Sequence, residues 1–205
     1  MKKTTNIQDI ITDLKAGKVV SFPTDTVYAI AALTTAYSAV EDIYRLKNRH
    51  LTNPLAVLAP STRNLRQYVV MSDAANTLAE TFMPGPFTLV LPKQKECSVL
   101  QDINPEYQTV GVRVPDHPIA VEILSSIDQP IVATSANISG MKPAISWREV
   151  EEYFDGADLT LLQCDTPCSG VASTIVEIQD GVTPIMLREG EISNQQIQQV
   201  LKLAG

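Results

Sequence analysis

The apolar runs of this chain are short, and several end on polar residues that packing alone does not call for. Lys18-Val19-Val20-Ser21-Phe22 runs into Pro23-Thr24-Asp25-Thr26-Val27-Tyr28. An amphipathic stretch closes on Lys47-Asn48-Arg49. Val110-Gly111-Val112-Arg113-Val114 places a guanidinium among valines, and Pro130-Ile131-Val132-Ala133-Thr134 closes on Ser135-Ala136-Asn137. Apolar runs this short, bounded by turn residues, read as strands. A buried strand gains nothing from an Arg in its middle or a Ser and Asn at its end. A site for an anionic ligand does.

Helical periodicity alternates with these strands. It predicts helices over 6–15, 38–47, 72–82, 118–124, 147–154 and 193–203, with Gly17 stopping the first and Ser193 capping the last. Strands are expected at 18–22, 54–59, 87–91, 109–114, 131–134 and 159–162, with a pair at 174–178 and 184–187 around Asp180-Gly181. A charged loop is expected over 93–104. The interleaving is not strict βαβ. The expected fold is α/β (α+β), one twisted mixed sheet flanked by helices. We expect a single domain over 1–205, with a core of about 6–190 and a closing C-terminal helix at about 193–203.

The chain is 44% hydrophobic and 19% charged, which suits a globular domain with its own core. A net charge of −7 argues against general nucleic-acid binding but leaves room for a local basic cavity. No signal peptide is visible, and no apolar run nears the roughly 18 residues of a membrane span. Three cysteines without a framework, Cys97, Cys164 and Cys168, suggest a reduced, cytoplasmic protein that makes no membrane contact. Cys164-x-x-x-Cys168 is a faint metal or redox signal without histidine support, and His50 and His117 have no evident nucleophile to serve. Phosphate loops, dinucleotide fingerprints, zincin motifs and nucleophile elbows are all absent.

Candidate site residues follow from parity. On an extended exit from a helix, Lys47 and Arg49 point the same way and grip one anion, Lys as a point charge and Arg as a fork. The other reading is a solvated basic helix end. Period 2 places Thr109, Gly111 and Arg113 on one strand face, a floor with room above Gly111. It also aligns Ala133, Ser135 and Asn137, and it aligns Thr24, Thr26 and Tyr28, whose hydroxyls suit a small polar molecule. The alternatives are an exposed strand face that happens to carry an Arg for the Thr109 group, a turn through Asn137 and Gly140 for the second, and a capped turn for the last.

Read in order, these segments resemble the Sua5/YciO/YrdC/YwlC family, in its short, YrdC-type form. The matching pieces are Pro23-Thr24-Asp25-Thr26-Val27-Tyr28, Lys47-Asn48-Arg49, Asn53-Pro54-Leu55, Pro84-Gly85-Pro86-Phe87-Thr88-Leu89, Val112-Arg113-Val114-Pro115, Thr134 to Gly140, Ser173-Thr174-Ile175-Val176 and Leu187-Arg188-Glu189-Gly190. The resemblance covers nearly the whole chain, and K-x-R with S-x-N separates it from the family's divergent branch. It implies a YrdC-like fold around a concave basic cavity. The implied activity is a nucleotidyltransferase reaction: L-threonine, bicarbonate and ATP, normally with Mg²⁺, give threonylcarbamoyl-AMP and pyrophosphate. Separate threonylcarbamoyl-transferase proteins then modify adenosine 37 of tRNA, so contact with tRNA itself would be indirect or weak. By resemblance, Lys47 and Arg49 are catalytic and, with Asn53, Thr109, Ser135, Asn137, Pro143 and Arg188, hold ATP. Thr26, Arg113, Ser173 and the backbone of Ala133 hold threonine. Metal ligands are not specified. The chain departs from the family at Ala29 and Ala31, where glycines are frequent, at His50, often Pro, and at Leu58, often His. Two other readings are a double-stranded RNA or tRNA-binding module of the same fold, and a carbamoyl-adenylating enzyme with another acceptor.

Overall fold

The structure, a computed structural model, describes residues 1–97, 100, 103 and 105–204. Its first half runs β1 (Lys2–Thr4), α1 (Ile7–Lys15), β2 (Val20–Pro23), β3 (Tyr28–Leu33), α2 (Tyr37–Leu46), β4 (Ala56–Leu58), α3 (Thr62–Leu65), α4 (Asp73–Phe82) and β5 (Phe87–Pro92). The second half runs β6 (Thr109–Arg113), α5 (Pro118–Ser125), β7 (Ile131–Ser135), α6 (Trp147–Tyr153), β8 (Thr160–Leu162), β9 (Thr174–Glu177), β10 (Ile185–Arg188) and α7 (Asn194–Ala204). The strands form one mixed sheet in the order β1-β8-β2-β3-β7-β4-β6-β5-β9-β10.

Local chemistry sets the helix ends. Asn6 and Ser72 accept from backbone N–H groups in the first turns of α1 and α4. At the start of α7, Ser193 accepts from Gln196 N, and Gln196 Oε1 accepts from Ser193 N, a reciprocal capping box. Pro118 opens α5, where its missing N–H costs nothing.

Period 2 divides the sheet into two faces. Tyr28, Ile30 and Ala32 of β3, Val57 of β4, Leu89 of β5, Val110 and Val112 of β6 and Val132 of β7 belong to the larger core. Ala29, Ala31 and Leu33, with Leu58, Ile131 and Ala133, face the other way. On that second face α1 and α5 pack over β2, and a smaller core forms beneath them. Their cover reaches Leu58 of β4 and leaves the rest of β4, and β6, β5 and β9, open. The uncovered face of those strands carries Ala56, Thr88, Thr109, Gly111, Arg113 and Ile175, and it is the floor of a groove.

Three elements were not expected: β1, α3 and β3. Strand β3 is buried on both faces, so it has no polar alternation, and its alanines carry little strand preference. Strand β4 is shorter than the run at 54–59 suggested. Of the charged loop expected at 93–104, residues 98, 99, 101, 102 and 104 lie outside the described residues.

The start of β9 is fixed by Thr174, fully buried. Its hydroxyl donates to Ile192 O at 2.7 Å and accepts from Gly190 N at 2.9 Å and Ile192 N at 3.1 Å. That brings the backbone after β10 hard against Ala172–Thr174. A Cβ on Gly190 would lie 2.1 Å from Ala172 O and 2.7 Å from Thr174 N. Gly190→Ala is therefore expected to lower the unfolding free energy by about 1–3 kcal/mol in urea titration. A variant as stable as the original would mean that this backbone contact yields freely.

Candidate functional site

Two lobes make up the groove, of about 200 and 320 Å³, and Arg49, Pro54, Ala56, Thr88 and Ile175 line both. The inner lobe gathers Thr26, Arg113, Ala133, Ser135, Ser173 and Arg188. The outer lobe adds Asn53, Thr109 and Gly111. Lys47, Asn137 and Pro143 line neither lobe. Leu58 and Ala29, two of the departures from the family pattern, form part of the inner wall.

Arg113 sits on β6 directly opposite Leu58 of β4. Its side chain is almost wholly buried and fully directed. Nε donates to Gly85 O at 3.1 Å, one terminal nitrogen to Thr26 Oγ1 at 2.9 Å and the other to Asp25 Oδ1 at 2.6 Å. A guanidinium has five N–H groups, so one remains on each terminal nitrogen. That pair matches the two oxygens of a carboxylate.

Arg188 lies on the same lobe and donates from Nε and a terminal nitrogen to Ser173 O at 3.0 and 2.7 Å. Burial lowers its pKa, and the like charge of Arg113 lowers it further. Arg113 is pulled down by burial and held up by Asp25, and Arg49 is pulled down by burial. Arg49 is anchored by its neighbours, donating to Asn53 O and Pro54 O, each at 3.0 Å. Three guanidiniums thus converge on one groove, and among the described residues Asp25 forms the one ion pair with any of them. Such a site favours an anion with more than one charge.

Beneath the wall lies a second layer. Helix α2 ends at Lys47, and Asn48 takes a left-handed backbone, φ 49°. The extended exit expected for Lys47-Asn48-Arg49 is therefore not formed. The left-handed step turns Arg49 into the groove and leaves the Lys47 side chain 1% exposed. Its ammonium donates to Ser135 O, to Asn137 O at 2.7 Å and to Asn137 Oδ1 at 3.0 Å. Burial, and then the Arg49 charge, push its pKa down to about 7.

The hydroxyls near Thr24 are less free than parity suggested. Thr24 Oγ1 donates to Val27 O at 2.6 Å and closes the turn. The Tyr28 hydroxyl points away, to Cys164 O at 2.9 Å. Two residues of the site were missed. Asp25 pairs with Arg113 across 88 residues, and nothing in its local sequence announces that partner. Thr88 bridges both lobes and pairs with Ser173 Oγ at 2.9 Å. A lone hydroxyl between Phe87 and Leu89 is the same parity signal that singled out Arg113.

No group of three or more His, Cys, Asp or Glu close enough to hold a metal ion occurs among the described residues. No helix among them is long and apolar enough to cross a membrane. His117 is buried, and His50 pairs with Thr52 Oγ1 on an exposed loop; neither lines the groove.

The sequence matches the model of the Sua5/YciO/YrdC family, described as "Telomere recombination", over residues 12–190. It is 35% identical to the threonylcarbamoyl-AMP synthase of Pyrococcus abyssi, over 92% of this chain and 55% of that one. To the threonylcarbamoyl-AMP synthase of Psychromonas ingrahamii it is 32% identical, over 83% of this chain and 90% of the other. The crystal structure of P. abyssi Sua5 complexed with L-threonine superposes with a TM-score of 0.85 at 33% identity, covering 97% of this chain and 59% of that one. The chain belongs to the Sua5/YciO/YrdC family. It spans about half the length of the P. abyssi and Bacillus subtilis synthases that it matches.

Cys168 is buried beside the Thr24–Thr26 turn, where Ser169 N and Gly170 N donate to Asp25 O and Thr26 O. Burial pushes its thiol up to about 11. Only about one part in a thousand is thiolate at pH 8, and the reactive fraction grows as pH rises toward that value. Alkylation followed by peptide mapping is expected to leave Cys168 unmodified in the folded protein at pH 8 and to label it in urea. Labelling of folded protein at the rate of a free thiol would mean that this loop opens.

Proposed function

We propose that the chain is an L-threonylcarbamoyladenylate synthase, a nucleotidyltransferase that makes threonylcarbamoyl-AMP and pyrophosphate from L-threonine, bicarbonate and ATP. The observation that carries this reading is the fixed Arg113 fork, open to a carboxylate, in a groove shared with Arg49 and Arg188. The family membership and the L-threonine complex of the P. abyssi protein support it.

Threonine enters the inner lobe with its carboxylate on Arg113, among Thr26, Ser173 and the backbone of Ala133. ATP takes the outer lobe, with Asn53 and Thr109 beside it and Arg49 and Arg188 toward its phosphates. Bicarbonate takes up a proton and releases water to give CO₂; the amine of threonine adds to its carbon, losing a proton, and becomes a carbamate. A carbamate oxygen attacks the α-phosphorus, the bond to the β-phosphoryl oxygen breaks, and pyrophosphate leaves. No protein nucleophile is needed. Positioning and cationic stabilisation of the phosphates supply the catalysis, and Mg²⁺ enters as part of the ATP substrate. Threonylcarbamoyl-AMP would pass to separate transferase proteins for transfer to adenosine 37 of tRNA.

Pyrophosphate release should require ATP, bicarbonate and threonine together. Arg113→Ala is expected to raise the threonine KM by more than about tenfold while changing the ATP KM little. Equal effects on both would remove Arg113 from the amino-acid subsite. Absence of release from folded protein with every amino acid tried would reject the synthase reading.

A further inference from the structure

The K-x-R and S-x-N residues divide into two layers. Arg49 and Ser135 line the groove, whereas Lys47 and Asn137 lie behind them. The rear layer is a closed hydrogen-bond network. An ammonium has three N–H groups, and those of Lys47 meet Ser135 O, Asn137 O and Asn137 Oδ1. The Asn137 amide nitrogen donates to Ile138 O at 3.0 Å and Met141 O at 2.8 Å. Those two carbonyls and the Lys47 ammonium fix which end of the amide is oxygen. Lys47 O also accepts from Ser139 N at 2.8 Å, so backbone and side chain both bind the loop that follows β7.

Ser135 Oγ lies 2.7 Å from Asn137 Oδ1. An amide oxygen cannot donate, so the serine proton points at it. What Ser135 offers the groove is a pair of acceptor orbitals. A phosphate oxygen, itself only an acceptor, finds no partner there. A hydroxyl or an N–H does.

We propose that Lys47 is a positioning residue that acts through Asn137 and Ser135: it locks the Ser135 hydroxyl as an acceptor for a hydroxyl or N–H of the bound nucleoside or amino acid, and its ammonium does not contact phosphate. The proposal rests on the reading of the groove as an ATP and threonine site. A direct phosphate contact would require Lys47 to give up one of its three oxygens, in a place where an unsatisfied buried carbonyl is costly.

Calorimetric titration with ATP, adenosine and L-threonine separates the two roles. Lys47→Met should weaken either both nucleotide ligands by the same factor, or threonine, by about tenfold. In both cases the ratio of adenosine Kd to ATP Kd stays unchanged. Arg49→Ala, which removes a groove cation, should reduce that ratio. In a Ser135→Ala background, Lys47→Met should add less than about twofold, because the group that it positions is already gone. A loss of general packing would not vanish in that background. If Lys47→Met fails to fold, Asn137→Ala carries the same comparisons, since its amide belongs to the same closed network. Selective weakening of ATP over adenosine in Lys47→Met overturns the proposal, as does an effect that persists in full without the Ser135 hydroxyl, or no effect on any ligand. Failure of the unaltered protein to bind ATP or adenosine overturns the nucleotide reading beneath it, and is seen before any variant is made.

Discussion

A guanidinium inside a sheet must be satisfied by oxygens that are held in place, and Arg113 organises the region around that demand. Its three acceptors come from two distant segments, Asp25 and Thr26 in the turn after β2 and Gly85 before β5, with β6 as the platform that carries Arg113. The turn at Thr24 is closed on Val27, and the chain at Ser169-Gly170 is pinned to it by two backbone bonds. Removing any one of these parts would strand a buried charge or a buried carbonyl. The binding group and the local fold are therefore specified by the same contacts.

Much of this was legible because β-structure has a fixed period. Arg113 stands out among valines, and its parity with Gly111 and Thr109 gives the floor of the groove before any coordinates are known. The same logic reads Thr88 between Phe87 and Leu89. Strand β3 is invisible to it, since burial on both faces removes the alternation. Lys47 and Arg49 mark a further limit. Their shared direction depends on the backbone of Asn48, whose left-handed turn separates a buried cation from a groove cation. The Asp25–Arg113 pair is a long-range contact: β3, β7 and β4 separate β2 from β6 in the sheet, the turn after β2 reaches across to Arg113, and local sequence carries no trace of it.

The groove itself results from incomplete cover. Helices α1 and α5 shield one part of a sheet face, and the adjoining strands are left with small or polar side chains where a core would otherwise need bulk. Alanines at 29, 56 and 133 keep the floor low, while Leu58 stands beside Arg113 and narrows the inner lobe.

The two-faced floor also bears on how such a protein can change over evolutionary time. In β4 and β6, residues 57, 110 and 112 face the large core, while 56, 58, 109, 111 and 113 face the groove. Substitutions at 56, 109 and 111 can reshape ligand preference with little disturbance to the packing that keeps the sheet folded, whereas Leu58 belongs to the smaller core and Arg113 holds the buried contacts described above. At those three positions, selection on what is bound and selection on staying folded act on alternating letters of one short segment; at 58 and 113 they act on the same letter.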